Sequence, residues 1–265
     1  MDITPAEMKI GDKLMLGKYG VNNNSPQPIV WLKASPDLNF ITKNVIDYLC
    51  FDAKERSSDD GYCRVCGNNK YALSNIHSFL NSDIESWYHQ THETDAAPNR
   101  TTGGYQNHYG FLYHFEDYEI DSMMFDTITV DEENVCSLIR LPLSSEIIGV
   151  NKFPLFARHG VRPKGTEDMV QHRALGFNYN SYVDFWALIA AGTRNGYYTG
   201  TISRMGEVGS LAPSDPCGIR PVCKLKSDIP LEMDESGVYH IKPYTIQQNI
   251  CTSDELLNFL GIAQF

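Results

Sequence analysis

The sequence predicts an α+β fold. Three observations lead there: strand-length apolar segments separated by turn-rich links, two mid-chain stretches with apolar residues at helical spacing, and long polar loops with scattered Pro and Gly. Internal repeats and low-complexity tracts are absent.

Lys9 to Tyr19 and Ile29 to Ser35 read as two short strands, and the link Gly20 to Pro28, rich in Asn and Pro, makes them a hairpin. Leu38 to Thr42 and Val45 to Phe51 are the next apolar segments, followed by a charged loop from Asp52 to Tyr62. Ser74 then stands as an N-cap before Ile76, Phe79, Leu80, Ile84 and Trp87, one face of a helix that Asn81-Ser82-Asp83 is placed to split. Thr91 to Tyr109, with Pro98 and Gly103-Gly104, reads as a long surface loop of the kind that carries function. Phe111, Leu112, Phe115 and Tyr118 form a second helical face. Ser137 to Leu143 reads as a strand and Asn151 to His172 as irregular chain. Near the end, the turn Asp234 to Gly237 suits a last hairpin over Leu231 to Ile241, and Ser253-Asp254-Glu255 opens a short helix that stops at Gly261.

At 265 residues the chain is long enough to bury a sizeable core. The 22 basic residues against 33 acidic ones give a net charge of −11, and no run of Lys or Arg interrupts it. Nucleic acid and anionic membrane are therefore not expected partners, because both need concentrated positive charge. Seven cysteines, scattered singly except for Cys63 and Cys66, do not resemble a secreted disulfide framework. The amino-terminal residues have no signal-peptide pattern and no 18-residue apolar span occurs, so the expected setting is the cytoplasm that makes the chain, or a particle assembled there, without membrane insertion.

The stretch from Ser181 to Leu225 organises the rest. It opens on the apolar run Phe185 to Ala191, a buried strand by length, and closes on Ile219, Val222 and Leu225. Between them lies a segment rich in Tyr, Asn, Arg and Gly, residue types that suit a contact surface better than a core.

A set of short motifs shares its order with a known family. Ile10-Gly-Asp-Lys13, Gly17-Lys-Tyr19, Ile29-Val-Trp31, Ile46-Asp47, Phe51-Asp-Ala53, Asn69-Lys-Tyr71, Ser74-Asn75-Ile76 and Phe79-Leu-Asn-Ser82 come first. Gly110-Phe-Leu112 with Phe115 and Glu119, Leu141-Pro-Leu-Ser144 with Glu146, Phe153-Pro-Leu-Phe156, and Gly218-Ile-Arg-Pro-Val-Cys223 follow. Together, over roughly residues 9 to 226, they resemble a domain of unknown function common in Firmicutes and their bacteriophages. That resemblance implies a C-type-lectin-like fold, of the branch that holds formylglycine-generating enzymes and phage adhesins. The implied organisation is a lectin-like domain over residues 1–226 and a carboxy-terminal hairpin and short helix as an appendage over 227–265. One departure is that Phe185-Trp186 runs into Ala187-Leu188-Ile189 where the family often has an arginine step.

The constellation best suited to recognition is Asn178, Tyr179, Asn180, Tyr182, Arg194, Asn195, Tyr197, Tyr198 and Arg204, with Trp186 as its core member. Aromatic rings stack on sugar faces or protein patches at small entropic cost, and Asn and Arg add directional hydrogen bonds. Cys63 and Cys66 have the spacing of half a zinc knuckle, but no second pair follows, and Cys50, His77 or His89 would have to complete it. Two free thiols, and no metal or other cofactor, is the expectation. The resemblance also directs attention to Cys217 and Cys223, since formylglycine-generating enzymes use a carboxy-terminal cysteine pair; here alternation makes Cys223 a core residue. His89, His92, Glu93 and Asp95 read as a solvated loop cluster. Phosphate loops, nucleophile elbows and His-Glu-x-x-His helices do not occur.

The resemblance thus implies a non-enzymatic bacteriophage virion protein on the tail or capsid exterior. Its partners would be a host surface glycan or receptor, or adjacent virion subunits, and it would be oligomeric or docked on a larger assembly. Two alternatives stand beside it: a capsid decoration or assembly protein without a receptor role, and a thiol oxidase of the formylglycine-generating kind.

Overall fold

The structure is a computed structural model that describes residues 3–21, 25–88, 105, 108–149, 151–173, 181–189 and 197–244. The amino-terminal half contains β1 (Lys13–Tyr19), β2 (Gln27–Lys33), β3 (Asn39–Thr42), β4 (Asp47–Cys50), α1 (Gly61–Cys66), α2 (Asn75–Leu80) and α3 (Asp117–Asp121). The middle adds β5 (Met123–Met124), β6 (Asp126–Val130), β7 (Glu133–Ser137), β8 (Ile139–Arg140), α4 (Ser144–Ile147), α5 (Pro154–Arg158), α6 (Glu167–Arg173) and β9 (Phe185–Trp186). The rest is β10 (Thr199–Ile202), β11 (Val208–Leu211), β12 (Pro216–Ile219), β13 (Val222–Leu225), β14 (Leu231–Met233) and β15 (Val238–Ile241). Short helices and mostly antiparallel sheets make the fold mixed α+β, as the pattern of short segments predicts. No helix among the described residues is long and apolar enough to cross a membrane.

The largest sheet has eight strands in the order β14-β15-β1-β2-β3-β13-β5, with β8 also paired to β13. β1 and β2 form the expected hairpin, and alternation turns Leu14, Leu16, Ile29 and Trp31 into the core. The register shifts between Met15 and Lys18, where Gly17 has φ +67° and a Cβ would lie 2.2 Å from the Phe115 ring, so a bulge with glycine is required. The closing hairpin also forms, fixed by Asp234 Oδ1 accepting the Ser236 and Val238 N–H groups. Its second strand, β15, runs parallel to β1, so the hairpin continues this sheet. The helix read at Ser253 to Leu260 lies outside the described residues.

A second sheet of five strands, β11-β10-β9-β12-β4, packs its apolar side into the same core cluster. Trp31, Trp186, Phe40, Phe51, Phe79, Phe111 and Phe185 are all fully buried there. Burying such side chains is worth about 1.5–3 kcal/mol each against leaving them exposed.

Several elements differ from expectation for identifiable reasons. The helix after Ser74 is capped as predicted, with Ser74 Oγ accepting the His77 N–H, but it ends at Leu80. Asn81 stops it by spending its side chain on the distant β7–β8 link: its amide donates to the Ile139 carbonyl and its oxygen accepts the Leu138 and Ile139 N–H groups. The expected helix over Phe111 to Tyr118 is two pieces, a 3₁₀ turn Phe111–His114 and α3, because Glu116 and Glu119 form a capping box that starts a new helix. Asn151 to His172 is not irregular, since Pro154 is the first residue of α5 and Thr166 Oγ1 accepts the Met169 N–H at the start of α6. Among the described residues of the run to Ala191, Phe185 and Trp186 form β9 and Leu188 makes an isolated bridge to Leu143, and Ser137 to Leu143 is divided between β7 and β8.

Candidate functional site

The five-stranded sheet fixes where the predicted recognition residues stand. Phe185 and Trp186 are buried on β9, and the Trp186 indole donates to the Leu49 carbonyl at 2.9 Å. Ile202 pairs with Phe185 and Thr201 with Trp186, antiparallel, so the chain leaves β9 and returns along β10. Tyr182 therefore lies beyond one end of this pair, beside Arg204, and Tyr197 and Tyr198 lie beyond the other. At about 3.3 Å per residue the two ends are roughly 20 Å apart. The described members of the constellation thus form two patches rather than one face. Asn178, Tyr179, Asn180, Arg194 and Asn195 lie outside the described residues.

The first patch is a ledge of rings. Tyr62, presented by α1 after Asp60 caps that helix through the Tyr62 N–H, stacks on Tyr197 with centroids 4.1 Å apart and planes at 24°. Tyr198 meets the same Tyr62 ring edge-on at 6.2 Å. Tyr197 and Tyr198 remain 50% and 38% exposed, so the ledge is open to a partner.

The second patch is a polar cavity of about 280 Å³ walled by Tyr48, Ser181, Tyr182, Val183, Asp184 and Arg204. It exists because β12 approaches closely. Gly218 pairs with Tyr48 on one side and donates its N–H to the Asp184 carbonyl at 3.1 Å on the other, and a Cβ there would lie 2.4 Å from that carbonyl oxygen. The Asp184 carboxylate accepts the Arg204 N–H, which fixes the turn after β10. Arg162 lays its guanidinium over the Tyr182 ring at 4.6 Å from the centroid, and Tyr182 stays 44% exposed. Burial, with Cys217, Asp184 and Asp215 nearby, pushes the Tyr48 hydroxyl up to about 12, so at neutral pH it remains a donor. Sequence reasoning missed Tyr48, Arg162 and Asp184. Each sits on a different segment, and only the apolar residues around them carried a signal.

The candidate metal and thiol sites resolve differently. Cys63 and Cys66 lie three apart on α1, and burial, then Glu55, Asp60 and Asp52, pushes the Cys63 thiol up to about 11. Among the described residues no group of three or more His, Cys, Asp or Glu side chains is placed to hold a metal ion. Cys50 is buried in β4, and His77 Nε2 is 2.9 Å from Ser137 Oγ. Cys217 and Cys223 belong to different sheets and are 0% and 1% exposed, and burial drives both thiols far above their ordinary range. Thiolate chemistry at either is opposed by that environment. His89, His92, Glu93 and Asp95 lie outside the described residues.

The carboxy-terminal end of the Thr91 to Tyr109 segment is core, not surface. Tyr105 donates its hydroxyl to the Cys50 carbonyl at 2.8 Å, and the Trp87 indole donates to the His108 carbonyl at 2.9 Å. The His108 ring completes a buried cluster in which the Tyr19 hydroxyl donates to Asp47 and lies 3.2 Å from His108 Nδ1. This cluster ties β1, β4 and the end of the loop together. A smaller cavity of about 140 Å³ touches the Tyr19 side and is edged by Lys43, Asn44, Thr166 and Asp168.

No protein-family model, no curated protein and no solved structure matches the chain.

Proposed function

We propose that the chain is a non-catalytic bacteriophage virion protein, carried on the tail or capsid exterior, whose C-type-lectin-like scaffold displays tyrosines to a host surface glycan. The observation that carries this reading is the exposure of Tyr182, Tyr197 and Tyr198 beside a core that fully buries Trp31, Trp186, Phe51 and Phe185; Phe125 is the other strongly exposed ring among the described residues. Exposed, pre-stacked rings cost little entropy on binding and offer flat apolar faces to sugar rings. Several side chains with chemistry to offer are spent inside: Cys217 and Cys223 are sealed, His77 is held by Ser137, and Asp47 accepts from Tyr19.

A decoration role is the second reading. It is favoured by Met205 and Val208, 68% and 53% exposed around the turn joining β10 and β11, which suit contact with a neighbouring subunit. Imaging of the intact particle at side-chain resolution separates the two. Solvent-facing tyrosines are expected for an adhesin and subunit-covered ones for a decoration protein, while absence of the chain from purified particles overturns both. A Tyr197→Ala, Tyr198→Ala double variant should stay folded and lose about tenfold or more in binding to host cell walls, since each stacked ring contributes roughly 0.5–1.5 kcal/mol. Unchanged binding would remove the ledge from the reading.

A further inference from the structure

The cavity at Tyr182 differs from the ledge in its charge. Arg204 lines it and Arg162, on a separate loop, lies beside it over the Tyr182 ring; both are exposed, and among the described residues neither guanidinium forms an ion pair. Their loops are in contact: a Cβ at Gly206, in the turn that carries Arg204, would lie 3.0 Å from Val161 and 3.8 Å from the Arg162 stem. That turn is rigid, with Ser203 Oγ accepting the Met205 and Glu207 N–H groups and Asp184 accepting the Arg204 N–H. A third guanidinium is tied to the loop that carries Arg162. Arg220 is 3% exposed, donates to the Val161 carbonyl at 3.0 Å and, among the described residues, has no carboxylate within ion-pair distance. In a chain of net charge −11, these three guanidiniums outnumber the carboxylates beside Tyr48, those of Asp184 and Asp215, a grouping that the one-dimensional sequence does not display.

The opposite wall is of another kind. Tyr48, Ser181 and Asp184 supply hydroxyl and carboxylate groups that exchange hydrogen bonds with neutral polyols. At about 280 Å³ the space matches one sugar ring better than a peptide or an oligosaccharide. We infer that this cavity is a subsite for an anionic sugar unit, its carboxylate or phosphate set against Arg162 and Arg204 and its hydroxyls against Tyr48, Ser181 and Asp184. Tyr182, with Arg162 already fixed over its ring, forms the apolar floor on which the sugar lies. The inference rests on the glycan-binding reading and narrows it to acidic glycans.

The test uses the full-length chain and three probes, glucuronate, glucose 1-phosphate and glucose, with binding followed by ligand-observed NMR and calorimetry. Either acid should bind with millimolar affinity and roughly tenfold or more tighter than glucose, the size of one charge-assisted hydrogen bond. The two acids tell a carboxylate ligand from a phosphate ligand. Arg162→Gln and Arg204→Gln, both exposed and so expected to leave melting unchanged, should each remove most of the preference for the acid. Raising NaCl from about 0.05 M to about 0.5 M should weaken the acids and leave glucose unaffected. Equal affinity for glucose and the acids, binding indifferent to both arginine variants, or no binding of either acid overturns the subsite. Adhesion of the wild-type chain to host cells is scored separately. Adhesion without acid binding sinks the subsite alone, and acid binding without adhesion sinks the receptor role alone.

Discussion

Two buried guanidiniums show how differently the two sheets deal with charge. Arg140, on β8 of the large sheet, is 2% exposed and fully partnered: its Nε donates to Asp126 at 2.6 Å, and Nη1 and Nη2 grip Glu146 at 2.8 and 2.7 Å. Arg220, between β12 and β13, is as deeply buried, yet among the described residues it donates only to the carbonyls of Thr42 and Val161 and lies between the Phe156 and Phe185 rings at 5.3 and 5.5 Å. Burial pulls the Arg140 pKa down, but Glu146 and Asp126 more than reverse it. At Arg220 burial acts without a carboxylate to oppose it, and the pKa is pulled down to about 9. Both remain protonated at neutral pH. The difference teaches that one guanidinium is closed off by carboxylates, while the other, tied through Val161 to the loop that carries Arg162, is left with carbonyls and ring faces.

The largest test of that contrast is Arg140→Met. It would leave Asp126 and Glu146 without their cation, at side-chain exposures of only 17% and 13%, and should cost about 3–5 kcal/mol in chemical denaturation. Neutralising the orphaned acids as well, with Asp126→Asn and Glu146→Gln, should recover most of the loss. A cost under about 1 kcal/mol for Arg140→Met alone would mean that the ion network is incidental.

Asp52 is the acidic counterpart of Arg220, a buried carboxyl without a cation among the described residues. Burial pushes it up to about 7, although Oδ2 and Oδ1 accept the Asn68 and Asn75 N–H groups. A folded-state pKa above the unfolded value of 3.8 means that the native state holds this proton longer. Its stabilising contribution is therefore complete below about pH 4 and lost as pH rises through about 7. Wild type should lose on the order of 4 kcal/mol relative to Asp52→Asn between those limits, read as the difference between their melting curves at each pH. A difference that stays constant across the window would show that the two backbone donors keep Asp52 ionised throughout.

How much of this was legible in the sequence follows from what local chemistry reports. The hairpins at β1–β2 and β14–β15 were visible because Asn, Pro, Asp and Gly mark their turns. The hairpin β6–β7 was not, because its two turn residues, Asp131 and Glu132, adopt φ +51° and +66° without a glycine or asparagine to announce it. The N-cap at Ser74 was readable, whereas the long-range bonds of Asn81 that end its helix were not. Tyr182, Tyr197 and Tyr198 were singled out and are exposed. Their division into two patches was invisible, since it arises from the chain running along β9 and back along β10. Tyr48, Arg162 and Asp184 meet only through the closure of β12 on β9 at Gly218.

The smallest effect is expected at Arg220, and it is the sharpest test of the contrast. Arg220→Met opposes two terms: the Thr42 and Val161 carbonyls lose their donors, a loss of about 1–3 kcal/mol, and an unpaired charge no longer has to be held out of water. Met also keeps contact with the Phe156 and Phe185 rings, because its thioether packs well on aromatic edges. The net cost should therefore be about 1 kcal/mol by denaturation, several-fold less than for Arg140→Met. A loss as large as that of Arg140→Met would place a buried anionic partner beside Arg220, and the contrast between the two guanidiniums would fail.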